Sequence, residues 1–392
     1  MTSWISKSLV VALVAIGLNA SSAAPASAPP SFDRDVQRIT LPTGKAPGPV
    51  AFGDFNRDGR TDIAVGNTED ATVTIYLNQG GGKFVQAAGS PFATAGGGTP
   101  DIGVGDFNND GIADLAIPNH GTKHVTILLG KGDGSFAPSV ASPITVESRP
   151  HPHGIALGDF NHDGNPDFAI DSWAEDKIEV FFGDGRGGFR TPGTMFAVGR
   201  HPYERLRAGD FNGDGNADIV TTNFEGANVT VLLGDGHGGF HEAPGSPFPT
   251  ADDPFGAAIC DLNRDGKLDL AIQHFSGQGT DFSKDAISIL YGDGAGHFRR
   301  GPTLQTGHAP VTIACGDVDG DGSPDIAVPN MSGNSITVLL NHGGEFQRSD
   351  IPAGAHPEGI GIANLLGSKQ PQIVVTSIDD NTVQIITLAP AK

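Results

Sequence analysis

The sequence predicts an all-β protein: a seven-bladed β-propeller with four-stranded blades, its ring closed by the N-terminal strand. Three observations predict it. First, a nine-residue acidic word, DFNRDGRTD at residues 54–62, recurs from Asp106, Asp159, Asp210, Asp261 and Asp317, at separations of 52, 53, 51, 51 and 56 residues. A degraded seventh copy, NLLGSKQPQ, begins at Asn364, and a period of this size marks arrayed supersecondary units. Second, 57 Gly and 28 Pro stand beside 38% hydrophobic residues, a composition that suits many short strands joined by turns around a sufficient core. Third, the last unit stops one strand short, while the N-terminal stretch supplies a strand with no unit of its own.

Taken in chain order, the first segment is residues 1–28. Lys7, the apolar run LVVALVAIGL at residues 9–18 and the small-residue stretch NASSAAPASAPP have the three-part layout of a secretory signal peptide, with cleavage expected between Ala20 and Ala28. The run is too short for a membrane span, and no later segment reaches 18 consecutive apolar residues. The expectation is a chain exported through a signal peptide to a periplasm or to the outside, with no transmembrane segment in the mature protein, and monomeric. Residues 31–390 then form a single propeller.

Each unit repeats one grammar. A short apolar strand (PVAFG, HGIALG, PVTIACG) precedes the word and another (DIAVGN, DLAIPN, DIAVPN) follows it. A polar loop leads to a third strand (ATVTIYL, HVTILLG, NVTVLLG, SITVLLN), and a Gly-rich turn ending in Phe (GDGRGGF, GDGHGGF, GDGAGHF) leads to a looser fourth. The β-branched, alternating strand residues and the Gly and Asp between them supply strand and turn chemistry, and four strands per unit is the pattern of a propeller blade. Blade seven is expected to combine residues 353–389 with the N-terminal strand, residues 32–44, which removes an exposed sheet edge.

Within each intact word, oxygen-bearing side chains occupy positions 1, 3, 5 and 9, and Gly occupies position 6. The six sets are Asp54, Asn56, Asp58 and Asp62; Asp106, Asn108, Asp110 and Asp114; Asp159, Asn161, Asp163 and Asp167; Asp210, Asn212, Asp214 and Asp218; Asp261, Asn263, Asp265 and Asp269; and Asp317, Asp319, Asp321 and Asp325. Alternate positions of a tight loop converge on one point, where the main-chain carbonyl of position 7 can join them: Arg60, Ile112, Asn165, Asn216, Lys267 and Ser323. Hard oxygen donors in this number suit Ca²⁺ rather than Zn²⁺, so about six structural Ca²⁺ sites are expected. An EF-hand is excluded because it needs a Glu at position 12, where this chain has Val65, Ile117, Ile170, Thr221, Ile272 and Val328. A plain Asp/Asn/Gly turn would need no metal. Against it, 19 of the 45 acidic residues lie in these loops, and carboxylates this close repel one another unless a cation sits among them. The seventh copy, with Asn364, Leu366, Ser368 and Gln372 at the ligand positions, is expected to hold none.

The run G-D-F-N-x-D-G-x-x-D followed by an apolar strand resembles the FG-GAP or VCBS repeat, the calcium-loop blade of integrin α-subunit propellers and of many exported bacterial proteins. The resemblance covers nearly the whole mature chain. It implies the propeller fold and Ca²⁺, and it implies ligand binding on the face away from the metal loops, with adhesion, sugar binding or occasional lyase chemistry as the family's range.

On that second face lie the loops between strands two and three and those entering strand one. Eight of the 13 histidines fall there: His120, His124, His151, His153, His201, His274, His308 and His356. The candidate ligand-binding residues are His151, His153, Trp173, His201, Tyr203, Glu204, Arg205, His356 and Glu358. His-Pro pairs at strand starts explain part of this pattern without any ligand. The functional reading is a binding or adhesion module for a carbohydrate or cell-surface protein, with no catalytic residue assigned. The alternative is a polysaccharide lyase-like enzyme with His153 or Tyr203 as base and Arg205 neutralising a uronate carboxylate. A formal net charge of -21 argues against nucleic acid, which needs clustered Lys and Arg. Cys260 and Cys315 fall on inner strands of adjacent blades, and either pair or face apart.

Overall fold

The computed structural model describes residues 36–147, 152–172, 175–275 and 284–389. The expected signal peptide, residues 1–28, lies outside them. Among the described residues no helix is long and apolar enough to cross a membrane.

Seven antiparallel sheets follow one another along the chain. In blade one the inner strand Pro47–Gly53 pairs with Asp62–Asn67, then Thr72–Asn78, then an outer strand broken into Phe84–Gln86 and Phe92–Ala93. Blades two and four break their outer strands in the same way, whereas blades five and six carry continuous eight-residue outer strands, Phe298–Gln305 and Glu345–Pro352. The second strands are buried along their whole length in the six blades where every residue is described. They sit mid-sheet with both faces packed on neighbouring blades, which is why they read as unbroken apolar runs rather than as alternation.

Blade seven is built from both ends of the chain. Val36–Pro42 pairs antiparallel with Thr382–Leu388 in register from Val36 opposite Leu388 to Pro42 opposite Thr382. The ring is therefore closed by the N-terminal strand, as the sequence predicts.

Successive blades are keyed together by position 2 of each word. Phe55, Phe107, Phe160 and Phe211 are buried, and each meets a Phe of the next blade edge to face: Phe136, Phe189, Phe240 and Phe298, at ring-centre distances of 5.4 to 5.7 Å. Each position-2 carbonyl also accepts a hydrogen bond from the next blade. The donors are the N–H groups of Gly134, Gly187, Gly238 and Gly296 for the first four. For Leu262, Val318 and Leu365 they are the side-chain amides of Asn341, Gln370 and Asn78. All seven junctions, including the one from blade seven to blade one, carry this bond.

Cys260 and Cys315 form a disulfide between the inner strands of blades five and six. The alternative left open by the sequence is thereby resolved in favour of pairing.

Candidate functional site

The acidic words form six loops of one geometry. In the first, Asp54 accepts the N–H of Asp58 at 3.1 Å and of Gly59 at 2.8 Å, and Asp58 accepts the N–H of Arg60 at 3.0 Å. Gly59 has φ of +80°, the left-handed turn that glycine adopts without steric cost. The bond from position 6 N–H to the position-1 carboxylate recurs at 2.8 to 2.9 Å in the other five loops. The N–H of Ile112, Asn165, Asn216, Lys267 and Ser323 likewise donates to the position-5 carboxylate.

Position 9 does more than face the loop. Asp62 is fully buried, one oxygen accepting the N–H of Phe55 at 2.9 Å and the other the N–H of Asn78 at 2.7 Å. It thus ties the loop to the third strand, and Asp114, Asp167, Asp218, Asp269 and Asp325 make the equivalent pairs. Burial, aided by the neighbouring loop carboxylates, pushes Asp62, Asp114, Asp167 and Asp218 up to about 6 and Asp325 up to about 7. Each oxygen retains a lone pair, and oxygens of Asp317, Asp319 and Asp325 lie within 4.8 Å of one another. The donor set, all oxygen and rich in carboxylate, fits a hard divalent cation.

The seventh loop keeps the shape with different chemistry. Gln372 at position 9 accepts the N–H of Leu365 and of Leu366, while its amide donates to the Gln370 carbonyl at 2.6 Å. A neutral amide donor thus stands where the other six loops present carboxylates. One residue that the sequence reading passes over joins the sixth loop: His342 Nδ1 lies 2.9 Å from Asp321.

The opposite face carries a continuous arc of rings. His120 of blade two lies against His153 of blade three at a ring-centre distance of 4.8 Å, and His153 against Tyr203 of blade four at 4.5 Å, both pairs tilted by just over 50°. Tyr203 meets Phe255 of blade five at 5.3 Å, and Phe255 meets Phe275 at 5.0 Å. His201 and Phe224 form a second row against Tyr203. His153 is buried; the other rings are partly exposed.

Six of the nine candidate residues have described side chains. The loop preceding Ile155–Gly158 presents His153, whose Nδ1 lies 3.2 Å from the buried Asp171, while Asp171 also accepts the N–H of His153 and of Gly154. His201 and His356 are left-handed residues with φ of 59° and 48°. The N–H of each donates to the preceding blade, to Asp176 and Asn334, so part of their role is to set the turn into the inner strand. Burial lowers the His201 pKa, with Glu225 opposing it. Arg205 lies beneath the arc, its Nη1 2.7 Å from Asp101. Asp101 thus takes up part of the donor capacity of this guanidinium. His356 pairs with Asp379, and the Glu358 carboxylate lies beside Gly48 of blade one; no ring contact among the described residues joins these two to the arc. His274 is an interior residue between the Asp252 carbonyl and Ser288. His151 and Trp173 lie outside the described residues, as does the Glu204 side chain.

The sequence reading missed Asp101, Arg207, Phe224 and Phe275. Phe224 and Phe275 each follow the last residue of a second strand directly, a position where a signal was available.

Among known families, the FG-GAP-like repeat matches residues 54–117 and 210–272. The chain is 27% identical over 184 residues to cartilage acidic protein 1 of Xenopus tropicalis and 24% identical over 183 residues to the Homo sapiens protein. The match takes in 44% of this chain but only 28% of the length of those relatives. Among solved structures, BBS1N in complex with ARL6DN superposes with a TM-score of 0.62 at 12% identity, covering 92% of this chain and 98% of that one. A streptogramin B lyase gives 0.57 at 15%, covering 90% and 98%. An Agrocybe aegerita lectin that recognises non-reducing terminal N-acetylglucosamine gives 0.54 at 18%, covering 90% and 86%. At these identities the likeness is one of fold.

Proposed function

We infer, for a chain that carries FG-GAP-like repeats in a seven-bladed propeller, an exported, non-catalytic binding module that takes a carbohydrate on the face opposite its acidic loops. The observation that carries this reading is the arc from His120 through His153, Tyr203 and Phe255 to Phe275. Partly exposed rings offer flat apolar area with polar edges, which matches the alternation of C–H faces and hydroxyls on a sugar. The arc spans four blades, so it can hold more than one sugar unit. Its imidazoles, with the Tyr203 hydroxyl, supply hydrogen bonding at its rim.

In the same reading, Ca²⁺ is held by positions 1, 3, 5 and 9 of the six intact words, with the position-7 carbonyls. When bound, it supplies charge neutralisation and stiffening of the loop. The protein's own residues do the rest: position 9 ties loop to third strand, and position 2 ties loop to next blade. Six divalent cations would also offset more than half of the formal net charge of -21.

A glycan array probed in calcium buffer tests the binding reading. Wild-type protein is expected to select a set of glycans, and Tyr203→Ala or Phe255→Ala to weaken binding by about tenfold, the scale of one ring contact. A hit that survives both substitutions overturns the arc as the site. Release of unsaturated product from uronate polymers, abolished by His153→Ala, would overturn the non-catalytic reading.

A further inference from the structure

Beneath the arc, three charged side chains from blades two and four meet. Asp101, from the loop entering the inner strand of blade two, reaches past blade three to two arginines on the inner strand of blade four, Pro202–Gly209. Its Oδ1 accepts Arg205 Nη1 at 2.7 Å and the N–H of Ile102 at 3.0 Å; its Oδ2 accepts Arg207 Nη1 at 3.3 Å and the N–H of Ile155 at 3.4 Å. Two guanidinium groups therefore share one carboxylate. The neighbouring carboxylate of Asp171 is turned to His153.

Among the described residues both guanidinium groups thus lie in the interior of a strongly acidic protein and face the Asp101 carboxylate, with that of Asp171 beside it. A buried guanidinium is costly unless its donors are met, so donors left over there call for an acceptor. Two further details point the same way. Arg205 is 92% buried, being 8% exposed, and its Nε has no hydrogen-bond partner. Arg207, whose side chain is 30% exposed, spends Nη1 on Asp101 and on the Leu206 carbonyl, and its Nε and Nη2 make no hydrogen bond among the described residues.

The repeat shows how unusual these residues are. Three residues before each word, where blade four has Arg207, the other blades have Ala51, Gly103, Ala156, Ala258, Ala314 and Gly361. Ring closure evidently needs only a small residue there, so the arginine has a local purpose.

We propose that Arg207, backed by Arg205 and Asp101, forms an anion-binding subsite that receives a carboxylate of the ligand held on the second face. This rests on that face being the ligand face. A carboxylate offers the acceptors that the leftover guanidinium donors lack, and its planar geometry matches the guanidinium fork. The ligand class is then an acidic sugar, with the ring on the aromatic arc and the carboxylate below it.

The test uses the full mature chain in calcium buffer, ¹⁵N-labelled at arginine, with the Arg207 Nε–H signal assigned by its loss in Arg207→Gln. Acetate, phosphate, galacturonate and galactose are titrated at constant ionic strength. Acetate and galacturonate are expected to shift the Arg207 signal saturably, and galactose to leave it in place. Arg207→Gln should weaken galacturonate by about tenfold or more, the worth of one charge-assisted hydrogen bond. Arg207→Lys, which keeps the charge but not the fork, should fall between the two. If neither acetate nor galacturonate moves the signal, or phosphate alone does, the carboxylate subsite is overturned whatever binds to the arc. If both move it while Tyr203→Ala leaves galacturonate affinity unchanged, the subsite stands and the arc reading fails.

Discussion

Replacing Asp218 by Asn separates what the loop's position-9 carboxylate does for the chain from what it does for a cation. Asp218 is fully buried; its oxygens accept the N–H of Phe211 at 2.8 Å and of Gly234 at 2.9 Å. An asparagine keeps one acceptor and turns an NH₂ group toward the other N–H, which leaves a buried donor unsatisfied at a cost of about 1 to 3 kcal/mol. If the loop holds Ca²⁺ with the ion at a hundredfold excess over its Kd, losing that site removes about 2.7 kcal/mol more. The variant should therefore be destabilised by roughly 4 to 6 kcal/mol in calcium and by only the first part in chelator. With an unfolding entropy of about 2.1 cal/mol/K per residue, this is a fall in Tm of roughly 5 to 8 °C in calcium against about 1 to 4 °C in chelator. Differential scanning calorimetry of wild type and variant in both media closes the cycle. An equal fall in the two media, together with a wild-type Tm indifferent to chelator, would refute a cation in these loops.

Three further outcomes follow from the fold. Burial lowers the His274 pKa from 6.5 to about 4, so the native state favours neutral imidazole. The stability this contributes is complete above pH 6.5 and is lost as pH falls from 6.5 toward 4, up to about 3 kcal/mol at 1.36 kcal/mol per unit. Denaturant melts of His274→Gln should show a shallower acid limb over that window, and an unchanged limb would count against it. The disulfide closes a separation of 55 residues, worth up to about 4 kcal/mol in the chain-entropy account; the Cys260→Ser, Cys315→Ser double variant should melt lower, and an unchanged melt would show that the bond contributes nothing. Deleting residues 1–42 removes the outer strand of blade seven and should abolish the single cooperative transition seen by circular dichroism; an intact transition would mean that closure is dispensable.

The blade grammar was legible because it is local. The word, the apolar second strand and the Gly-rich turn each lie within a dozen residues, and repetition turns a weak turn signal into a strong one. Closure by Val36–Pro42 was legible because a missing strand at one end matched a spare strand at the other. What stayed hidden is what joins blades. Asp101 and Arg205 lie 104 residues apart, and nothing in their local sequence links them. The histidines of the second face divided in a way that periodicity cannot show. His153 entered the arc as a buried ring held by Asp171, His201 and His356 took left-handed turn positions, and His274 was absorbed into the interior. The pairing of the two cysteines likewise depended on which way adjacent inner strands turn.

The bond from each position-2 carbonyl to the following blade makes the molecule a one-dimensional lattice with nearest-neighbour coupling. In an open repeat array such a lattice melts from its ends, because a terminal unit has one neighbour instead of two. Here Asn78 of blade one grips Leu365 of blade seven, so the lattice is periodic and no unit is terminal. Opening the first blade then requires two interfaces to fail together, while every later one requires a single failure. Unfolding of the closed ring should accordingly be slow to start and fast to finish, and the residues that set its rate are those where the two chain ends meet.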